Sequence, residues 1–157
     1  MSTQTAGPGD AGRIAVSTPQ LMMADGAQIS VETGGDGRGG DVVVQTGHLS
    51  LTGGAQIRSG SGLTVLGSLF IGAGAGGTVS VTATDTIDIV GQESGLSAST
   101  AGQGRGGDVF LQARQVQLTN GATISAESTG LGNAGNVTIT TGDSFLSTNG
   151  SVVTRAT

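Results

Sequence analysis

The chain has 157 residues, 31 of them glycine, with no cysteine, tryptophan or tyrosine and a net charge of −5. Six arginines, no lysine and three phenylalanines leave no basic face to release counterions from phosphates and no aromatic platform for bases, which excludes nucleic-acid binding. The lack of cysteine excludes disulfides, thiol catalysis and thiolate metal sites.

Abundant glycine can mean disorder, but disorder also needs low hydrophobicity and high net charge. Here mean hydropathy is +0.12 and the apolar residues are patterned, which predicts an ordered β-rich chain with glycine at its turns. One unit recurs. It opens Gly-x-apolar-x-apolar, passes through a second apolar pair, turns at x-Gly, continues Ala-x-Ile-x-small and ends in a glycine-rich loop. The opening glycines are Gly12, Gly40, Gly77, Gly107 and Gly135, spaced by 28, 37, 30 and 28 residues on subtraction. Such periods mark solenoid repeats.

In chain order, the first coil buries Ile14 and Val16 around outward Ala15. It continues through Leu21 and Met23, turns at Asp25-Gly26 and buries Ala27, Ile29 and Val31. The second sets Val42 and Val44 inward around Val43, then Leu49 and Leu51, turns at Gly53-Gly54 and buries Ala55 and Ile57. Extra residues from Arg58 to Gly77 enlarge this coil. They are expected to form a longer strand or bulged loop packed on the flank. The alternative is a protruding apolar patch for partner contact, made of Leu63, Val65, Leu66, Leu69, Phe70 and Ile71. The third coil offers Val79/Val81 around Ser80, then Ile87/Ile89, a lengthened turn at Gln92-Glu93-Ser94-Gly95, and Leu96/Ala98. The fourth offers Val109/Leu111 around Phe110, Val116/Leu118, the Asn120-Gly121 turn and Ala122/Ile124/Ala126. The fifth offers Val137/Ile139 around Thr138, a slipped Phe145/Leu146 pair, the Asn149-Gly150 turn and Ser151/Val153.

This alternation signals strands with one buried face. Asn-Gly between apolar runs is also a hairpin signal, so a meander is the rival architecture. Like residues at corresponding positions, and three strands per period, favour coils stacked in register. The prediction is an all-β fold: a right-handed single-stranded parallel β-helix (β-solenoid) of about five coils, each of roughly 28–30 residues, its hand set by the general rule for parallel crossovers. It spans residues 1–157 as a single segment, with the irregular coil at about 58–77. Coils stacked at ~4.8 Å give a rod roughly 25 Å long with unpaired strand edges, so end-to-end self-association is expected.

Site signals are sparse. GGDGRGGDVVV, residues 34–44, resembles the calcium nonapeptide pattern, which works through tandem nine-residue turns. Here it comes once per coil, and the sister loops GAGAGGTVSV and GLGNAGNVTI lack the acid. A plain glycine-rich corner is the expected reading. Asp36, Asp41 and Asp108 are the only calcium candidates, and stacking separates Asp41 from Asp108 by two coils, about 10 Å. A P-loop needs Gly-Lys-Ser/Thr, and the chain has no lysine. Scattered acids and a lone outward His48 supply no acid–base pair, so no enzymatic activity and no cofactor are expected. Outward threonines suggest an ice-binding ladder, but Ala15/Ser17, Val43/Gln45 and Phe110/Gln112 break its rows.

LTNGATISAEST, GLGNAGNVTIT and SGLSASTAGQGRGGD resemble the repeats of filamentous-haemagglutinin-like exoproteins, the cargo of two-partner secretion, over about Gly7 to Thr154. The resemblance implies a right-handed parallel β-helix, secretion to the cell surface, and a role as adhesin, filament or stalk. It supplies no catalytic residues. The family's N-terminal secretion domain is not found, and Met1 to Gly7 has neither the basic nor the apolar region of a signal peptide. An internal fragment of a larger protein is therefore expected. No run approaches the ~18 apolar residues of a membrane span, so no membrane insertion is expected. Expected partners are further copies of the chain, surface glycans, or a host or neighbouring cell surface. The alternative function is a binding module for glycan or calcium on a solenoid face.

Overall fold

The structure, a computed structural model, describes residues 1–5, 9–65, 68–70 and 73–157, without the side chains of 63–65 and 68–70. Among the described residues it is all-β. The strands in chain order are β1 (Ser2–Thr5), β2 (Arg13–Met23), β3 (Gln28–Thr33), β4 (Asp41–Thr52), β5 (Gln56–Ser61), β6 (Leu63–Val65), β7 (Ser68–Phe70), β8 (Thr78–Val90), β9 (Gly95–Thr100), β10 (Asp108–Thr119), β11 (Thr123–Ser128), β12 (Val137–Thr148) and β13 (Ser151–Ala156). Two parallel sheets form the walls. Sheet I runs β1-β3-β5-β9-β11-β13 and sheet II runs β12-β10-β8-β4-β2. Each coil contributes one strand to each sheet, which makes a β-solenoid of about five turns.

Register decides what stacks on what. Ile29, Ile57, Leu96, Ile124 and Val152 form one interior column in sheet I. Val42, Val79, Val109 and Val137 form another in sheet II, and Leu49, Ile87, Val116 and Phe145 a third. In the inner coils these side chains are almost fully buried, and they merge into one continuous core. A strand-edge row of hydroxyls, Thr33, Ser61, Thr100 and Ser128, also points inward. Ser61 and Thr100 touch through their hydroxyls, and both hydroxyls lie within hydrogen-bond distance of the Gly74 carbonyl, at 2.7 and 3.2 Å.

The five opening glycines stack at one corner, and from Gly40 onward their smallness is obligatory there. A Cβ on Gly40 would lie 1.7 Å from the Gly12 carbonyl oxygen. On Gly77, Gly107 and Gly135 it would lie 1.9 Å from the carbonyl oxygen of the glycine one coil earlier. The opposite corner uses left-handed residues: Asp25 and Gly26, Gly53 and Gly54, Asn120 and Gly121, and Asn149. Asp and Asn tolerate that region because their short polar side chains bond locally. These turns stack too, with Gly26 N–H donating to Gly53 O at 2.8 Å and Gly121 N–H to Asn149 O at 2.7 Å.

Four expectations need correcting. The first and second strands of each coil are not separate: they form one long strand of 11 to 13 residues. The backbone continues as strand through the junction, although the pairing skips one to three residues there where the strand bends. In the last coil Phe145 pairs with Val116 but Leu146 pairs with outward Gln117, leaving Ser147 on Leu118. One added residue between Thr141 and Ser144 resets that register. Likewise Val152, not Val153, continues the Ile124 column, so the inward pair is Gly150 and Val152 rather than Ser151 and Val153. Finally, the enlarged coil carries β6 and β7 as a separate antiparallel pair, joined at Leu63–Phe70, Thr64–Leu69 and Val65–Ser68. It is a hairpin outside the two main sheets, which overturns the longer strand but not the bulged loop that was expected beside it.

The glycine corner makes a direct prediction. Gly107→Ala should cost about 1–3 kcal/mol by forced overpacking, whereas exposed Gln117→Ala should stay within about 0.5 kcal/mol. Urea unfolding of both variants checks this, and equal midpoints would contradict it.

Candidate functional site

The aspartates proposed as calcium ligands have other work. Asp41 Oδ1 accepts the Thr78 N–H at 3.1 Å, and Asp108 Oδ1 accepts the Asn136 N–H at 2.8 Å. Asp36 Oδ1 accepts the Ala73 N–H at 3.0 Å, and Asp10, which the sequence did not single out, accepts the Arg38 N–H at 2.7 Å. Every one of these bonds reaches the next coil. Asp41 and Asp108 thus satisfy backbone donors where the chain enters β8 and β12, and Asp10 and Asp36 satisfy donors of the loops before β4 and β8. Arginine three residues earlier adds a second contact, Arg105 to Asp108 at 2.7 Å and Arg38 to Asp41 at 3.4 Å. Thr78 stands between Asp41 and Asp108, as the repeat requires. Among the described residues no group of three His, Asp or Glu side chains gathers as a cation cage.

His48 points outward, as expected, but it has partners. Its Nδ1 lies 2.8 Å from Thr86 Oγ1 and its Nε2 3.2 Å from Asp85. Asp85 also meets Arg114 at 2.7 Å, and Arg114 reaches Asp143 at 3.6 Å. This is a ladder of polar contacts across four coils, with Arg114 set between two carboxylates. Asp85 and Asp143 sit where β8 and β12 each carry one residue more than their neighbours. The signal was countable: five residues separate Val81 from Ile87 and Ile139 from Phe145, against four in the second and fourth coils.

A hydroxyl, an imidazole and a carboxylate in line bear the outline of a nucleophile–base–orienter set. Two features argue against that chemistry. His48 and Asp85 are half to one-third exposed on an open face, and Asp85 is shared with Arg114. Strand β8 is paired on both sides, so no backbone donors converge over Thr86 as an oxyanion hole requires. The exposed pairs contribute little stability each.

The outer face of sheet I carries a groove of about 350 Å³. Gln56, Arg58, Thr123 and Ser125 line its sides, and Gly95 opens its floor. A Cβ at Gly95 would sit 2.0 Å from the Thr123 carbonyl oxygen. Glu93 at the rim has φ of +63°, an uncommon conformation for a residue with no short polar side chain, and its carbonyl accepts from Gln56 Nε2 at 2.8 Å. The lengthened turn expected at Gln92 to Gly95 is therefore real: it has one residue more than the Asn120-Gly121 corner.

Of the expected apolar patch, Leu63, Val65, Leu69 and Phe70 lie on the β6–β7 hairpin, whereas Leu66 and Ile71 fall outside the described residues. No family model, no curated protein and no solved structure matches the chain.

If the aspartates are inter-coil staples, Asp108→Ala should lose about 1 kcal/mol and Asp108→Asn, which keeps an acceptor for Asn136, clearly less. Millimolar calcium should leave the wild-type melting temperature unmoved. A calcium-dependent rise abolished by Asp108→Ala would overturn the staple assignment.

Proposed function

We propose that this chain is a non-enzymatic structural or adhesive segment of a large secreted bacterial surface exoprotein of the filamentous-haemagglutinin-like, two-partner-secretion kind. It acts there as a rigid shaft or display surface for cell adhesion. The observation that carries the reading is the unbroken stacking of like on like, coil after coil, in both sheets. Such an array gives reach and stiffness at low sequence complexity, and its faces repeat contacts that gain through multivalency. The repeat motifs support the family assignment, and the extracellular location follows from it. The open, paired-off charge ladder supports the non-enzymatic part.

The same construction favours association end to end. Strands β2 and β12 are the edges of sheet II, and β1 and β13 those of sheet I. On the last coil Phe145 and Val152 continue interior columns yet are each 44% exposed. Sheet I has one strand more than sheet II, so a second copy that sets its β1 on β13 leaves a one-strand gap between β12 and its β2. Association therefore uses one sheet at a time and is weak. Sedimentation velocity over a concentration series should show elongated oligomers growing in with concentration. A compact monomer at every concentration would overturn the shaft reading in favour of a self-contained module.

A further inference from the structure

The outer face of sheet II holds a feature that the shaft reading leaves unused. Ser17, Gln45, Thr82, Gln112 and Thr140 are paired in register, one from each coil. All five are exposed. All are uncharged, and each offers both a donor and an acceptor. On four steps of ~4.8 Å the column is about 19 Å long.

This column forms one wall of a trough, and Phe110 stands on the other side of that wall. A depression of about 510 Å³ runs from Ser17 and Gln45 to Thr82 and Thr84. Another of about 430 Å³ runs from Thr82 and Gln112 to Thr140 and Gly142. They share Thr82 and Thr84, so the hollow is continuous across the coils and follows the solenoid axis. Missing side chains open its wall at Gly47 and Gly142, and a Cβ at Gly47 would lie 2.6 Å from the Pro19 carbonyl oxygen. A third, smaller depression joins Phe110 to Thr82, Gln112 and Thr140. Phe110, 42% exposed, is thus an aromatic ring on a hydroxyl-lined edge.

We infer that this trough binds an elongated neutral glycan lying along the solenoid axis, with Phe110 as its stacking ring. The inference rests on the reading of the chain as an adhesive segment and names its ligand class. A sugar chain repeats hydroxyls at a spacing close to the coil rise, so successive sugars meet successive coils in like fashion. The ligand is neutral because the column has no charge and Arg114, on the far wall, is already paired with Asp85 and Asp143. An extended peptide would need a free sheet edge for its backbone, and the middle of this face offers none.

The probes are cellohexaose, maltohexaose, chitohexaose and mannohexaose, with an oligogalacturonate hexamer as the acidic comparison, titrated into the intact chain by calorimetry. At least one neutral hexamer should bind, more tightly than its own dimer and more tightly than the galacturonate. Thr82→Arg, which fills the trough, should weaken binding at least about tenfold, and Phe110→Ala about fivefold to tenfold. Ser97→Arg, which fills the sheet I groove instead, should bind as wild type. Circular dichroism melts verify folding, and Gln112→Ala replaces Thr82→Arg if that variant does not fold. No binding by any neutral hexamer, preference for galacturonate, or binding indifferent to Thr82→Arg overturns the inference. Adhesion to a mucin-coated surface separates the two levels. Adhesion that survives Thr82→Arg removes the trough but leaves the adhesive reading standing, and wild-type chain that does not adhere removes that reading.

Discussion

Successive coils meet most closely at the corner where Gly12, Gly40, Gly77, Gly107 and Gly135 stack, and the spacing there sets everything else. A carbonyl oxygen occupies the place where the next coil's Cβ would be, within 2 Å at each step after the first. Only glycine lets the corner close to the spacing that β-ladders demand. Closed, it fixes the register of both sheets at once. A residue that faces inward in one coil then faces inward in all, which is why short side chains such as valine and alanine suffice to fill the core.

The polar residues follow the same geometry. The glycine-rich loops and the strand entrances after them present N–H groups that no ladder takes up, and Asp10, Asp36, Asp41 and Asp108 accept them from the coil before. Inside, serine and threonine hydroxyls bond the carbonyls of the glycine-rich loop. Outside, His48, Asp85, Arg114 and Asp143 link in a row, each on a different coil. Function on such a scaffold is naturally linear. A face carries a column, and a column suits a ligand that repeats in step with the coils.

The glycine period, the Asp-Gly and Asn-Gly turns and the Val, Ile and Leu columns were legible because stacking places like on like. Other features were hidden for definite reasons. The bend inside the long strands has no fixed residue type: it falls at Pro19, Gly47, Thr84, Arg114 and Gly142 in turn, so two strands were read where the backbone makes one. The register of the last coil was lost through a single added residue beside Asp143, and Val153 was preferred to Val152 because both are valine. Asp36, Asp41 and Asp108 look the same in sequence whether they face a cation or a backbone N–H. The trough was divided between coils and combines Ser, Gln and Thr, so composition gave no sign of a common column.

If each coil is held only by its neighbours, protection from amide hydrogen exchange must be graded along the solenoid. Exchange resolved strand by strand should show β8, the middle strand of sheet II, and β5 and β9, the middle pair of sheet I, as the slowest. Protection should fall stepwise toward β2 at one end and toward β12 and β13 at the other. Equal protection in all coils, or the slowest exchange at an end, would contradict a structure built by stepwise stacking at the glycine corner.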